Sequence, residues 1–321
     1  IIRVLEMVEQ LSVKTVPNRH QMSEAFGPAL EFDKQLGKFT TFKTGGPARY
    51  FLKVRSAQET SNTVKTAQKL GIPFYLIGGG SNLLISDSGI DGLVVKVDVR
   101  GLEIVDQTNI LCGAGEDLMA LINFAADNGL TGLEFASGIW GTVGGAIFGN
   151  AGAYGGEIKD VTREITLVDT SGKIKKVDAH YCGFTYRGSK LKKTKEIVID
   201  TFFELKNGDK KEIKKRIQEI LDIRASKHPV EGNSAGSFFK NIPDPTQPYG
   251  KLPAGKLLDE VGCKGLVVGG AQVYEKHANI IVNTGTATSI DIRKLADIMK
   301  QRVLDKFGIL LEEEVIQLGQ F

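Results

Sequence analysis

The apolar positions change period along the chain, and each change predicts an element. Ala48 to Val54 is strand-like, while Ala57 to Leu70 has helical spacing and stops at Gly71. Pro73 to Ile77 is a short apolar strand that runs straight into glycines. Strands near Leu93 to Val97 and Ile110 to Cys112, then a helix from Glu116 to Asn128 closed by Gly129, give the first 150 residues an α/β character.

The pattern then turns antiparallel. Ile165 to Val168 and Ile174 to Val177 flank the hairpin signal Asp169-Thr170-Ser171-Gly172, and Glu196 to Leu205 predicts a further strand. A charged helix from Asp209 to about Ala225, apolar at Ile213, Ile217, Ile220 and Leu221, leads into the turn-rich stretch Lys227 to Gly236, where a domain boundary is expected. A loop containing Pro243, Pro245, Pro248 and Pro253 follows, then a short helix at Gly255 to Val261 and strands near Leu266 to Val273 and Asn279 to Val282. The last long helix should start with Ser289 as N-cap and stop at Gly308, before a final strand through Val315 to Leu318. Ile1 to Leu11 carries Arg3, Glu6 and Glu9 at helical spacing and reads as an amphipathic helix, not an export signal.

Length and charge narrow this picture. At 321 residues the chain exceeds one comfortable core, so two or three domains are expected. With 41% hydrophobic and 25% charged residues, disordered and fibrous classes are excluded. The balance of 41 Lys and Arg against 38 Asp and Glu argues against a nucleic-acid or membrane-surface partner, and no stretch approaches the ~20 apolar residues of a membrane span. The basic run Lys190 to Lys195, broken by Leu191 and Thr194, reads as a solvated loop. Cys112, Cys182 and Cys263 form no CxxC pair, which fits a reducing compartment, and His20, His180, His228 and His277 lack metal-ligand spacing, so no metal is expected.

Two glycine segments and three polar motifs carry the candidate chemistry. Gly78-Gly79-Gly80-Ser81-Asn82-Leu83-Leu84 follows a strand, where glycines let backbone N–H groups approach a pyrophosphate. It departs from GxGxxG, so a Rossmann site is disfavoured. Gly138 to Gly156 holds 8 glycines in 19 residues, where 38 in 321 would give about two, and its apolar spacers suggest backbone pressed against a flat ligand. Tyr186-Arg187-Gly188-Ser189 offers an Arg for a carboxylate, Gly236-Ser237-Phe238-Phe239-Lys240-Asn241 a turn serine, and Glu312-Glu313-Glu314-Val315 a carboxylate entering the last strand. Taken singly, these also fit a surface ion pair, a turn serine and a solvated acidic run.

Together, in this order, the motifs resemble the UDP-N-acetylenolpyruvoylglucosamine reductase (MurB) family, shorter subclass, from Thr40-Thr41-Phe42-Lys43-Thr44-Gly45-Gly46-Pro47-Ala48 to the last strand. The resemblance implies an α+β fold: a leading segment 1–41, an FAD-binding domain of the vanillyl-alcohol-oxidase (PCMH) type over 42–208, an α/β substrate-binding domain over 224–312, and a final strand over 313–321 packing back on the first domain. It implies non-covalent FAD held by Gly78, Gly79, Gly80, Ser81, Asn82, Leu83, Gly138, Thr142, Gly144, Gly145, Asn150, Ala151 and Gly152. It further implies catalytic Arg187, Ser237 and Glu314, with Lys227 and Asn241 binding substrate or NADPH. The implied reaction is NADPH-dependent reduction of UDP-N-acetylglucosamine enolpyruvate to UDP-N-acetylmuramate, by a cytoplasmic enzyme, monomeric by preference. Trp140 stands where the family usually has Pro, Phe148 where Met is usual and Leu191 where Phe is usual, and Asn241 to Lys251 forms a longer loop than the shorter subclass carries.

Overall fold

The computed structural model describes residues 17–229, 233–247 and 250–321, so the helix expected at Ile1 to Leu11 lies outside the described residues. The first sheet has the order Glu31–Gln35, Pro47–Val54, Ile90–Val97, Phe74–Ile77. Its last three strands run parallel, joined through the helix Ala57–Leu70, whose N-cap Ser56 accepts from the Glu59 N–H at 3.1 Å and whose C-cap Gly71 is left-handed. Tyr50, Phe51, Leu93, Val94 and Val95 are fully buried, as strands covered on both faces require.

The second sheet is antiparallel, in the order Ile174–Asp178, Thr162–Val168, Ile197–Glu204, Asn109–Gly113, Leu102–Ile104. The hairpin turns where the sequence placed it: Asp169 Oδ1 accepts from the N–H groups of Ser171 and Lys173 at 2.8 and 3.0 Å. The helix Lys210–Lys227, capped by Asp209, turns Ile213, Ile217 and Ile220 inward.

Beyond it, the hairpin Val267–Val268 with Ala271–Val273, the strand Ile281–Asn283 and the helices Ala254–Glu260 and Ser289–Phe307 enclose a second core containing Phe238, Phe239, Leu258, Leu295 and Met299. Burying Phe238 and Phe239 contributes roughly 1.5–3 kcal/mol each. The fold is α+β overall.

Three details differ from the sequence reading. Leu266 to Val273 is a hairpin and not one strand, because Gly269 and Gly270 turn the chain between Val268 and Ala271. Thr288, not Ser289, is the N-cap of the last long helix: Thr288 and Asp291 form a reciprocal capping box, which frees Ser289 for a contact across the molecule. The helix Arg19–Phe26 and the strand Glu31–Gln35 had no clear periodic signal.

The C-terminal part is tied to the first sheet's end of the molecule. The Asp87 carboxylate accepts from Ser289 N and Oγ at 2.7 and 2.8 Å, and Asn283 Nδ2 donates to the Phe42 carbonyl at 2.8 Å. The final strand Ile316–Leu318 runs parallel to Leu83–Ile85, directly after the first glycine segment. Phe42 and Leu84 are buried in the second core.

Candidate active site

The first glycine segment forms an open cradle. Among the described residues, the N–H groups of Gly79, Gly80, Ser81 and Asn82 find no protein acceptor, which leaves a row of donors for an anion. The carbonyls are tied down instead: Gly80 O accepts from Thr41 N at 3.2 Å, Asn82 O from Ile316 N at 3.0 Å, and Gly78 O from Lys96 Nζ at 2.9 Å. Gly80 sits at φ +65, and a Cβ there would lie 1.8 Å from the Phe39 carbonyl oxygen, so only glycine fits. Lys96, after the apolar run Leu93 to Val95, has its pKa lowered by burial and brings a charge beneath the cradle.

The second glycine segment closes against the first. A Cβ on Gly79 would stand 2.8 Å from Gly141 Cα, one on Gly78 2.6 Å from Thr142 Oγ1, and Ser81 Oγ donates to the Trp140 carbonyl at 2.7 Å. Thr41 and Ser137, at the edges of the two segments, keep buried hydroxyls with no partner among the described residues. These facing backbones and orphaned polar atoms suit a phosphate-bearing cofactor with a flat ring.

Part of the glycine density has another cause. Residues Val143–Gly149 form a helix with Thr142 as N-cap; the N–H groups of Val143 and Gly144 already donate to Glu116 and Ala114 carbonyls at 2.9 Å, and that of Gly145 donates to Thr142 Oγ1 at 3.4 Å. Gly144 packs against Ala114, and Gly156 against the Phe135 ring. Gly138, at φ +72, faces the Arg224 side chain. Asn150 is fully buried, its Nδ2 donating to Glu157 Oε2 and the Thr185 carbonyl and its Oδ1 accepting from Lys159 N. It fastens the chain beside the turn that carries Arg187. Gly152 and Ala153 form a two-residue ladder with Glu157 and Gly156, and the Ala151 carbonyl accepts from Ile158 N at 2.8 Å.

Arg187, Ser237 and Glu314 converge from three separate segments. Arg187 occupies a tight turn in which Thr185 and Gly188 exchange backbone hydrogen bonds at 2.9 and 3.1 Å, and its own φ is +53, a conformation disfavoured for a side-chain-bearing residue. Its Nε donates to Glu314 Oε1 at 2.9 Å. Ser237 bridges to Ile280, and the chain just after it is stitched to the last segment: Glu314 N donates to the Phe238 carbonyl and Lys240 N to the Glu312 carbonyl, both at 2.8 Å. The backbone of Glu314 is therefore joined to the residue next to Ser237. Asn279 locks this arrangement by accepting from Phe239 N at 2.9 Å and donating to the Phe239 carbonyl at 2.8 Å.

Burial pushes the Glu314 carboxyl above the usual carboxylate range, and the charges of Arg187, Lys192 and Lys240 pull it back in part. Two cations lie on the Tyr186 ring, Arg187 at 5.1 Å and Lys251 at 3.6 Å, so the end of the Pro-rich loop reaches the turn that carries Arg187. Asn241 accepts from Ala254 N at 3.1 Å, which caps the helix Ala254–Glu260. Lys227 is exposed at the end of its helix, where its charge acts on the His228 and His277 rings, which lie 5.4 Å apart and tilted to each other. Burial lowers the His228 pKa to about 4. The cation of that helix nearest Arg187 is Arg224, half-buried against Gly138, and burial lowers its pKa.

Sequence reasoning missed Lys96, Arg224 and Lys192. Lys192 corrects the reading of Lys190 to Lys195 as a solvated loop. Lys190, Lys193 and Lys195 are exposed, but Lys192 is half-buried and donates to the Arg187 carbonyl at 2.7 Å. Helical spacing over Leu191–Thr194, beside the buried Leu191, was the available signal. Among the described residues no group of three metal-ligating side chains occurs, and no helix is long and apolar enough to cross a membrane.

Residues 48–178 match the family described as FAD binding domain, and residues 228–318 match UDP-N-acetylenolpyruvoylglucosamine reductase, C-terminal domain. FAD is accordingly the cofactor of the first domain. The chain is 40% identical over 291 residues to UDP-N-acetylenolpyruvoylglucosamine reductase of Caldanaerobacter subterraneus, covering 91% of this chain and 94% of the relative. It is 41% identical over 294 residues to the enzyme of that name from Carboxydothermus hydrogenoformans, covering 91% and 95%. The crystal structure of UDP-N-acetylenolpyruvylglucosamine reductase (MurB) from Thermus caldophilus superposes with a TM-score of 0.74 at 32% identity, over 90% of this chain and 98% of that one. With family models and relatives of this extent in agreement, the chain belongs to the UDP-N-acetylenolpyruvoylglucosamine reductase (MurB) family.

Proposed function

We propose that this protein reduces UDP-N-acetylglucosamine enolpyruvate to UDP-N-acetylmuramate at the expense of NADPH. The observation that carries this reading is the Arg187–Glu314 pair, which joins the FAD domain to the last segment beside Ser237. Gly78 to Leu83 and Gly138 to Gly152 would hold FAD, which would supply the hydride-transfer chemistry that links NADPH to the enolpyruvyl double bond.

The chain's own residues handle charge and the proton. Adding hydride to the β-carbon leaves negative charge on the α-carbon, delocalised into the adjoining carboxylate. Arg187 clamps that carboxylate with a planar guanidinium, a stabilisation that grows as the charge develops. Ser237 donates its hydroxyl proton to the α-carbon; a hydroxyl is a weak acid, but a carbanion-like centre is a strong base and position is what it needs. Glu314 orients Arg187 and the substrate. Lys227 and Asn241 complete the binding of the substrate or NADPH diphosphate.

The test separates the two half-reactions by following flavin absorbance in stopped flow. NADPH should bleach the flavin, oxygen should restore it slowly, and the enolpyruvyl substrate should restore it quickly. Rapid restoration by oxygen alone would identify an oxidase and overturn the assignment.

A further inference from the structure

We propose that Lys192, which the reaction outlined above does not use, is a positioning residue for the substrate carboxylate. It would fix the main chain of Arg187 and leave one positive charge in the pocket uncompensated until the carboxylate binds. The inference rests on the reading under Proposed function.

Five charged groups meet here. Arg187 pairs with Glu314 through Nε at 2.9 Å, and Lys240 forms an ion pair with Glu312. Lys192 is the fifth. Its Nζ donates to the Arg187 carbonyl at 2.7 Å and stands 5.9 Å from the Phe148 ring, and among the described residues it forms no ion pair. Around Lys192 these are three cations against two carboxylates, and Arg224 and Lys251 beside Arg187 only add positive charge, so the half-buried Lys192 ammonium is left without a counter-ion. A charge removed from water without an acidic partner is costly, so its retention needs a reason. An anionic group of the ligand supplies one.

The second part of the argument is conformational. Arg187 sits at φ +53, where a residue with a Cβ is strained. The hydrogen bond from Lys192 to its carbonyl holds that peptide in place, and with it the direction in which the guanidinium leaves the turn. Lys192 thus acts twice, once through Arg187 and once through its own charge.

Its protonation is poised accordingly. Burial lowers the Lys192 pKa first, Lys240 and Arg187 lower it further, and Glu314 and Glu312 raise it. With increasing pH, Lys192 loses its proton before an ordinary lysine would, and affinity for a carboxylate-bearing ligand should fall with it. Free-enzyme ionisations appear in kcat/KM, so an alkaline limb is expected there.

Ligand binding to the oxidised holoenzyme, measured by calorimetry, tests the inference without turnover. UDP-N-acetylmuramate carries the carboxylate; UDP-N-acetylglucosamine does not. Lys192→Met should weaken UDP-N-acetylmuramate binding about 10- to 100-fold, the range expected for one charged hydrogen-bonding partner, and leave UDP-N-acetylglucosamine binding within about twofold. In turnover the KM for the enolpyruvyl substrate should rise more than kcat falls. Lys192→Arg should restore most of the affinity and move the alkaline limb to higher pH.

Equal weakening of both ligands, or of neither, would overturn the role. If Lys192→Met does not fold with FAD bound, Lys192→Arg decides alone, since an unmoved alkaline limb refutes the charge. If the wild-type protein fails to reduce the enolpyruvyl substrate at all, the functional reading falls, while the difference between the two ligands still reports on Lys192.

Discussion

The glycine cradle and the polar pocket beside it are built on opposite plans. The cradle is a run of adjacent residues, Gly79 to Asn82, whose N–H groups point outward while their carbonyls are held by Thr41, Lys96 and Ile316. The pocket takes Arg187, Ser237 and Glu314 from segments about fifty and about eighty residues apart and depends on side chains. The first kind of site follows from local backbone geometry; the second exists only once the domains are docked. Damage to the pocket should therefore change the chemistry and leave FAD in place, whereas damage to the cradle should release FAD.

The largest effect is expected at Ser237. Positioned general acids contribute about 10²- to 10⁴-fold, so Ser237→Ala should slow reoxidation of reduced flavin by the enolpyruvyl substrate by at least the lower factor. FAD content and reduction by NADPH should stay near wild type. Equal slowing of both half-reactions in stopped flow would make Ser237 a structural turn residue, with the proton coming from Glu314 or water. Ser237→Cys keeps an ionisable hydrogen in nearly the same place and should recover part of the rate.

Gly80→Ala addresses the cradle. The new methyl meets the Phe39 carbonyl and the residue must hold φ +65, so the combined cost is roughly 2–5 kcal/mol and FAD should be lost on gel filtration. Retained FAD with an unchanged melting temperature would show that the loop can shift and that the tight approach is not required.

Arg187→Lys keeps the charge but loses the planar fork. Reoxidation by the enolpyruvyl substrate should slow roughly tenfold, the loss of about one charged hydrogen bond, with FAD affinity unchanged. Wild-type reoxidation would remove the carboxylate clamp.

The same division explains how much the sequence revealed. Helix Ala57–Leu70 and strand Pro47–Val54 were legible because burial repeats at their periods and Ser56 and Gly71 mark the helix ends. The cradle was legible because three glycines after an apolar strand have few other uses. The helix Val143–Gly149 was hidden, since glycines that press against Ala114 resemble glycines that press against a ligand until the fold is known. The three polar motifs were visible singly, each with a bland explanation, and were joined into one site only through family resemblance; nothing local says that Arg187 reaches Glu314. Lys192 was obscured for a related reason. It lies in a basic run whose other lysines are exposed, and only the turn at Arg187 folds it inward.

The smallest expected effect concerns Glu314, where function and stability should pull in opposite directions. Burial raises its pKa, with Arg187 the foremost opposing charge, so the folded protein holds this proton more tightly than the unfolded chain does. The sign follows by linkage: the native state binds more protons in this window, so Glu314 favours folding at low pH, and that contribution is lost as pH rises from the unfolded carboxyl range through the raised pKa. Glu314→Gln removes the titration. Its melting temperature, compared with wild type from acid to neutral pH, should lack the downward slope that Glu314 imposes in that interval, whatever constant offset the unpaired Arg187 adds. Activity should move the other way, because the Arg187–Glu314 pair needs the ionised carboxylate: wild-type kcat/KM should show an acid limb above the ordinary carboxylate range, and the variant should be slower and flat there. Parallel melting curves for the two proteins across this interval would mean that the Glu314 pKa is not raised, and the pocket would then be wetter than its packing indicates.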